Sequence, residues 1–191
     1  MQITKKHLIK FVGLIIFILF AMWFSWHARE NDLVLSFVAQ YGYLGIFLFG
    51  IVSGFSLIFP IPLATFTPLF VEAGLNIWIL VVVIAFGMTI GDCVGYYLGS
   101  LGGKTFIHQN PSTIAAKLDK WKSKHKSLPY LLLFAYASFA PAANEVLVIP
   151  MGFLGYELKY ILPAVFFGNI IFNALIAFGF LNAFELFFGA I

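Results

Sequence analysis

The sequence predicts an all-α polytopic membrane protein, and three observations carry that expectation. Hydrophobic residues make up 62% of the 191 positions, against roughly 45–50% in ordinary globular domains. Only 10% of residues are charged, so no polar stretch is long enough to fold as a soluble domain. The apolar runs are long enough to cross a bilayer, yet two of them are interrupted by prolines. Broken backbone at membrane depth is tolerated only where protein or a water-filled cavity satisfies the freed polar groups. The expected architecture is an inverted repeat of two re-entrant helical hairpins, each followed by a transmembrane helix. An N-terminal transmembrane helix precedes them, and a cytosolic amphipathic helix lies between the halves.

Residues Leu8 to Trp26 are apolar apart from Lys10 and end in Trp23 and Trp26, a residue type that settles at headgroup level. A cleaved leader would show a shorter apolar core and a small-x-small site, so this segment reads as a retained anchor. With the polar linker His27 to Asp32 it forms a unit over 1–32. A membrane domain over 33–185 follows, with a short apolar tail over 186–191.

Within that domain, 33–99 reads as the first hairpin and its span. Leu33 to Ala73 is apolar for about twice the ~20 residues that one helical crossing needs. Gly50, Gly54, Pro60, Pro62 and Pro68 force it to bend. Pro60 and Pro62 cannot both sit inside a regular helix, because each lacks a backbone donor and clashes with the preceding turn. A hairpin turning near Phe59 to Thr65 is expected, with two full spans as the alternative. Asn76 to Leu98 is the following span. Gly87, Gly91, Gly95 and Gly99 recur every four residues on one helix face, where another backbone can approach closely. Asp92 lies on this span and reads as either a packing hydrogen bond or a transport group.

The segment 100–128 is polar. Asn110, Pro111, Ser112 and Thr113 read as a helix start. Ile114, Leu118, Trp121 and His125 then recur at helical spacing, opposed by Lys117, Lys120, Lys122, Lys124 and Lys126. Such a cationic amphipathic helix either contacts anionic headgroups in the interface plane or is a solvated face that fixes topology. The ten lysines all fall on the side shared by the N-terminus and this loop, with Arg29 opposite, so that side is expected to be cytosolic. The single cysteine, Cys93, excludes an intrachain disulfide. His7, His27, His108 and His125 show no ligand spacing, so no metal, cofactor or nucleic-acid partner is expected.

The second hairpin and span occupy 129–185. At their centre lies Ser138 to Gly155, SFAPAANEVLVIPMGFLG, where Pro141, Asn144 and Glu145 interrupt apolar sequence. A lipid-facing carboxylate costs roughly 2.5–3.5 kcal/mol on insertion scales, so Glu145 should face protein, water or a ligand. Asn169 and Asn173, four apart on the last span, read as interhelical hydrogen-bonding groups or part of the same polar seam. Pro60, Pro62, Pro141 and Gly155 read as residues that shape the hairpins. Pro60 falls on Pro141, Gly74 on Gly155, Gly87 on Gly168 and Asp92 on Asn173, all 81 residues apart. No serine-nucleophile motif, paired catalytic aspartates or intramembrane histidine supports an enzyme.

Four pieces of the chain resemble the DedA family, also described as the VTT or SNARE-associated Golgi protein domain. They are FPIP at 59–62, GDCVGYYLGSLGG at 91–103, FAPAANEVLVIPMGF at 139–153 and FFGNIIFN at 166–173. Members commonly carry glutamates where this chain has Phe55 and Ala64, and arginines where it has Ser138 and Asn144. An acidic residue after the second proline is closer to the YqaA-like branch. The resemblance implies a prokaryotic plasma-membrane protein that flips or scrambles polyprenyl phosphate or phospholipid. Asn144, Glu145, Asp92, Asn169 and Asn173 would then line the lipid's path, and Glu145 would take a proton or a cationic headgroup. An ion-coupled solute transporter and a non-transporting membrane organiser, monomeric or homo-oligomeric, are the other readings.

Overall fold

A computed structural model of the chain describes residues 5–54, 63–109, 118, 120–121, 127–140 and 142–189. Helix α1 (Lys5–Ala28) is followed by α2 (Asp32–Gly54), a 3-10 turn (Leu63–Phe66) and α3 (Thr67–Glu72). Then come α4 (Ile77–Gln109), α5 (Leu128–Phe139), α6 (Glu145–Phe153) and α7 (Leu158–Phe188). Among the described residues no strand occurs. Three stretches are long and apolar enough to cross a membrane, Asp32–Gly54, Ile77–Leu101 and Leu158–Phe188. The chain is therefore an all-α integral membrane protein. Its outward faces carry Trp78, Phe86, Leu101, Phe167 and Leu175, all well exposed, an apolar surface that suits lipid better than water.

Helix starts follow local chemistry. The Asn31 side-chain oxygen accepts from the backbone N–H of Leu33 (3.1 Å) and Val34 (3.2 Å), opening α2. Asn76 does the same for Trp78 (2.9 Å) and Ile79 (3.3 Å) at the start of α4. These side chains satisfy donors that the first turn of a helix leaves without a partner. Before α4 and α7 the chain reverses through Gly74 (φ 85°) and Gly155 (φ 66°), left-handed conformations that favour glycine. The bonds around the two turns match. Gly74 N–H reaches the Val71 carbonyl and Leu75 that of Phe70, while Gly155 reaches Gly152 and Tyr156 reaches Met151.

The helix directions come from who touches whom. Trp78 packs on Phe178 and Asp92 meets Asn169, so α7 runs antiparallel to α4. Helix α2 runs parallel to α4, with Gly50 against Gly87 and Gly54 against Gly91. Helix α6 also runs parallel to α4, with Glu145 at Gly95 and Ile149 at Gly99. Tyr43 Oη accepts the Asn76 N–H at 2.8 Å, and Tyr130 Oη accepts that of Glu157 at 3.3 Å. Tyr43 lies midway along α2 and Tyr130 in the first turn of α5, and each touches the start of the long helix that follows. The start of α5 and the end of α6 therefore lie at one end of the molecule.

The core has two parts. One gathers Ile46, Leu63, Ala64, Leu75, Leu80 and Ile84, and the other Leu118, Leu133, Val148, Tyr156, Ile161 and Val165. Helix α1 lies against the 3-10 turn and α3, with Phe17 and Phe24 edge-on to Phe66.

Several sequence expectations change here. The span expected to end at Leu98 continues as helix to Gln109, because the Gly- and Ser-containing stretch after it has no breaker strong enough to stop it. The expected tail from 186 is helical as far as Phe188, held by Trp26 stacking on Phe188 at 4.8 Å. The polar linker begins later than expected, since α1 includes His27 and Ala28. Gly50, expected to help bend its segment, lies inside α2 against Gly87, whereas Gly54 is the last residue of α2 and lies against Met88 on α4. Of the lysine-rich segment, Leu118, Lys120 and Trp121 are described. Lys120 is exposed as expected, while Leu118 is buried and its carbonyl accepts the Tyr156 hydroxyl at 2.8 Å. The apolar face thus meets protein at Leu118. Lys117, Lys122, Lys124 and Lys126 lie outside the described residues, as do Pro60, Pro62 and Pro141.

A Cβ added at Gly91 would sit 2.5 Å from the Gly54 carbonyl carbon, whereas one at Gly179 meets nothing within 4 Å. Gly91→Ala is expected to cost about 1–3 kcal/mol by forcing the backbones apart. Gly179→Ala should be neutral or stabilising by up to about 1 kcal/mol. Thermal unfolding of the two purified variants in detergent checks the contrast.

Candidate functional site

The glycine stripe of α4 serves two partners in succession. Gly87 and Gly91 take α2, and Gly95 and Gly99 take α6. Asp92 lies at the junction, where α2 has ended and α6 begins. It is 15 residues past Ile77, or about 22 Å along the helix at 1.5 Å per residue, which is deep in the membrane for a carboxyl group. Such a group is tolerated only with hydrogen-bond partners.

Those partners come from two other helices. Asn144 Nδ2 donates to Asp92 Oδ2 at 3.1 Å and to Asn169 Oδ1 at 2.9 Å. Asn169 Nδ2 donates to Asp92 Oδ2 at 3.1 Å and to Thr89 Oγ1 at 3.4 Å. Asn173 Nδ2 donates to the Asn169 carbonyl at 2.8 Å and to Met88 Sδ at 3.3 Å. A primary amide has two N–H groups, so all six in this cluster are engaged inside it. The Thr89 hydroxyl is likewise engaged, donating to the Ala85 carbonyl at 2.7 Å. Flipping Asn144 or Asn169 would set an amide oxygen against the Asp92 carboxyl oxygen, so hydrogen-bond chemistry fixes both orientations.

Glu145 completes the group. It is the first residue of α6 and only 2% exposed. Gly95 makes room for it, since a Cβ there would lie 3.1 Å from Glu145 Cγ. Asp92, Glu145, Asn144, Asn169 and Asn173 all border one cavity of about 150 Å³. Ser53 and Thr65 also border it, and its remaining walls are largely apolar, with Phe172, Ile176 and Phe180 from α7, Ile18 from α1, and Ala137, Ala140, Ala142 and Ala143 around the α5–α6 turn. The site therefore has a polar end and an apolar end. Among the described residues no basic side chain lines it, and no group of three or more His, Cys, Asp or Glu stands ready for a metal ion.

All five residues expected to form the polar seam are thus brought to one place. Gly155 forms its turn as expected, and Gly87, Gly91, Gly95 and Gly99 pack helices as expected, although onto two partners. Lys120 is not among the cavity-lining residues. Sequence reasoning missed Thr89 and Met88. Thr89 lies three residues before Asp92, on the same helix face, and that spacing was a usable signal. Ile18, on a helix expected to be only an anchor, gave no signal. No family model matches the chain, and neither a curated protein nor a solved structure matches it.

Asn169→Ala removes donors to both Asp92 and Thr89 and is expected to destabilise by about 1–3 kcal/mol. Asn173→Ala should cost less, because its N–H groups serve its own helix and a thioether. In an Asp92→Ala background the Asn169→Ala cost should shrink, a coupling that a double-mutant cycle of thermal unfolding measures.

Proposed function

We propose that this protein is a membrane lipid transporter of the DedA/VTT type, acting as a flippase or scramblase of polyprenyl phosphate or phospholipid. The observation that carries the reading is the mid-membrane cavity with a polar end at Asp92 and Glu145 and an apolar end on α7 and α1. An amphiphile has the same division, a polar headgroup and an apolar tail. A ligand path at membrane depth, built where helices break, is a recurring plan among transporters. The lysine-rich segment would gather anionic headgroups at the cytosolic entrance, in a prokaryotic plasma membrane. The reading assigns no catalytic chemistry to the cluster.

In this reading the two halves form an inverted repeat of re-entrant hairpins. The glycine turns correspond at an offset of 81 residues, as do the starts of α4 and α7. Leu80 and Ile84 of one core correspond to Ile161 and Val165 of the other at the same offset. The first arms correspond at 87 instead, Tyr43 with Tyr130 and Ile46 with Leu133. The antiparallel α4 and α7 support inversion, and the contact of Asn169 with Asp92 has its counterpart in that of Asn173 with Met88. Helices α5 and α6, of 12 and 9 residues, are about 18 and 14 Å long, short of the ~30 Å hydrocarbon core. That shortfall supports re-entry of the second hairpin.

An ion-coupled transporter of small solutes is the second reading, favoured by two carboxyl groups bordering a cavity without a basic neighbour among the described residues.

Two experiments test these readings. Purified protein in liposomes should move headgroup-labelled phospholipid out of reach of, or into reach of, an impermeant quencher faster than empty liposomes. Glu145→Gln and Asp92→Asn should each slow it about tenfold or more, the loss of one interaction worth about 1.4 kcal/mol in the barrier. Native rates in both variants would sink the lipid seam. For topology, cysteines replace Asn31, Asn76, Ser127 or Glu157 in a Cys93→Ser chain. An impermeant maleimide should label Asn31 and Asn76 from outside, and Ser127 and Glu157 from inside. Labelling of Asn76 and Glu157 from the same side would overturn the inversion.

A further inference from the structure

The donor inventory of the site says more than its shape. Every N–H of Asn144, Asn169 and Asn173 is engaged inside the cluster, and so is the Thr89 hydroxyl. What these residues still have to offer a ligand is acceptor oxygen. Asp92 Oδ1 is buried and has no hydrogen-bond partner among the described residues, and Asp92 borders the cavity. The Asn144 and Asn173 side-chain oxygens belong to residues on the same cavity. Glu145 adds a second carboxyl group to its wall. A phosphate would meet carboxyl oxygens there, with no basic side chain among the described lining residues to offset the repulsion.

We propose that the polar end of the cavity is a binding site for a small cationic group, an alkali-metal ion or an ammonium, coordinated by Asp92 Oδ1 with the Asn144 and Asn173 side-chain oxygens and with Glu145 alongside. Hard cations take oxygen ligands from carboxylates and amide carbonyls, and an ammonium needs acceptors alone. The proposal rests on the transporter reading for its purpose and narrows its ligand. If a phospholipid enters, its ammonium end sits at Asp92 and its phosphate lies elsewhere. A free cation would occupy the same oxygens.

Thermal unfolding of the purified full chain in detergent, without any transport step, tests the site. The probes are sodium chloride, potassium chloride and ethanolamine hydrochloride, each against N-methyl-D-glucamine chloride at equal ionic strength. At about five times its dissociation constant, a bound cation should raise the midpoint by roughly 2–4 °C. A rise with sodium or potassium identifies a free ion as the ligand. A rise with ethanolamine alone identifies the ammonium of a headgroup. Asp92→Asn should abolish the rise, and Glu145→Gln, the second variant if the first does not fold, should weaken the apparent affinity at least tenfold. Equal midpoints in all four salts overturn the proposal, as does an undiminished rise in a folded Asp92→Asn or Glu145→Gln. Stabilisation by inorganic phosphate at constant N-methyl-D-glucamine, with none from the cations, also overturns it. Lipid translocation by a protein that binds no cation would leave the transporter reading standing and remove this one.

Discussion

A carboxyl group placed in the middle of a membrane-spanning helix must be given hydrogen-bond donors, and the arrangement around Asp92 follows from that requirement. Neither α2 nor α4 supplies an amide donor to it. Both donors belong to the second half of the chain, Asn169 on α7 and Asn144 immediately before α6. For Asn144 to reach Asp92, α6 must begin at the depth of Asp92, which is why the second hairpin turns where it does. For α6 to have a surface to lie on, α2 must already have ended. Gly54 closes α2 opposite Met88, and Glu145 opens α6 opposite Gly95. One polar contact thus ties together a helix end, a helix start and the crossing of two long helices.

Helix association in lipid lacks the water-driven term that packs soluble proteins, so it relies on close approach and polar contacts. Both devices occupy one face of α4. Its glycines let the backbones of α2 and α6 come so near that a Cβ at Gly87 or Gly99 would collide with the carbonyl oxygen of Phe47 or of Ile149. Of the four stripe glycines only Gly95 faces a side chain of a partner helix at closest approach, that of Glu145. Under the proposed correspondence of the halves, Ala64 stands for Glu145 and Ile176 for Gly95, and both belong to one apolar cluster. The exchange of large and small keeps the volume filled on both sides. It confines the carboxyl group to one of them.

Much of this site was legible in the sequence because desolvation makes polar residues conspicuous within apolar runs. Asp92, Asn144, Glu145, Asn169 and Asn173 stood out for that reason, and the structure gathers all five. Thr89 did not stand out, since a threonine can satisfy its hydroxyl on its own helix, as it does with Ala85. The long helix α4 was harder to bound, because glycines that pack and glycines that break look alike in a sequence. Gly50 was misjudged on the same ground, as a bend residue instead of a contact residue inside α2. The proposed correspondence of the halves rests most visibly on Gly74 and Gly155, where a turn demands glycine. It was hidden in the first arms, where the offset changes and the matching residues, such as Ile46 and Leu133, share nothing but bulk.

The placement of the polar cluster follows from the antiparallel crossing of α4 and α7. Two helices that run in opposite directions and cross near their centres bring their middles together, so a site built from both lies far from either surface. In the proposed inverted arrangement a rotation relating the halves would carry Asp92 to Asn173 and Met88 to Asn169. The two contacts joining these residues are partners under that rotation, but their chemistry differs. One is an amide to a carboxyl oxygen and the other an amide to a thioether. The carboxyl groups of the site therefore lie to one side of that proposed axis, on α4 and at the start of α6. Asn144 and Glu145 stand side by side where α6 begins, so one donor to Asp92 and the second carboxyl group on the cavity enter the site together on a single short helix.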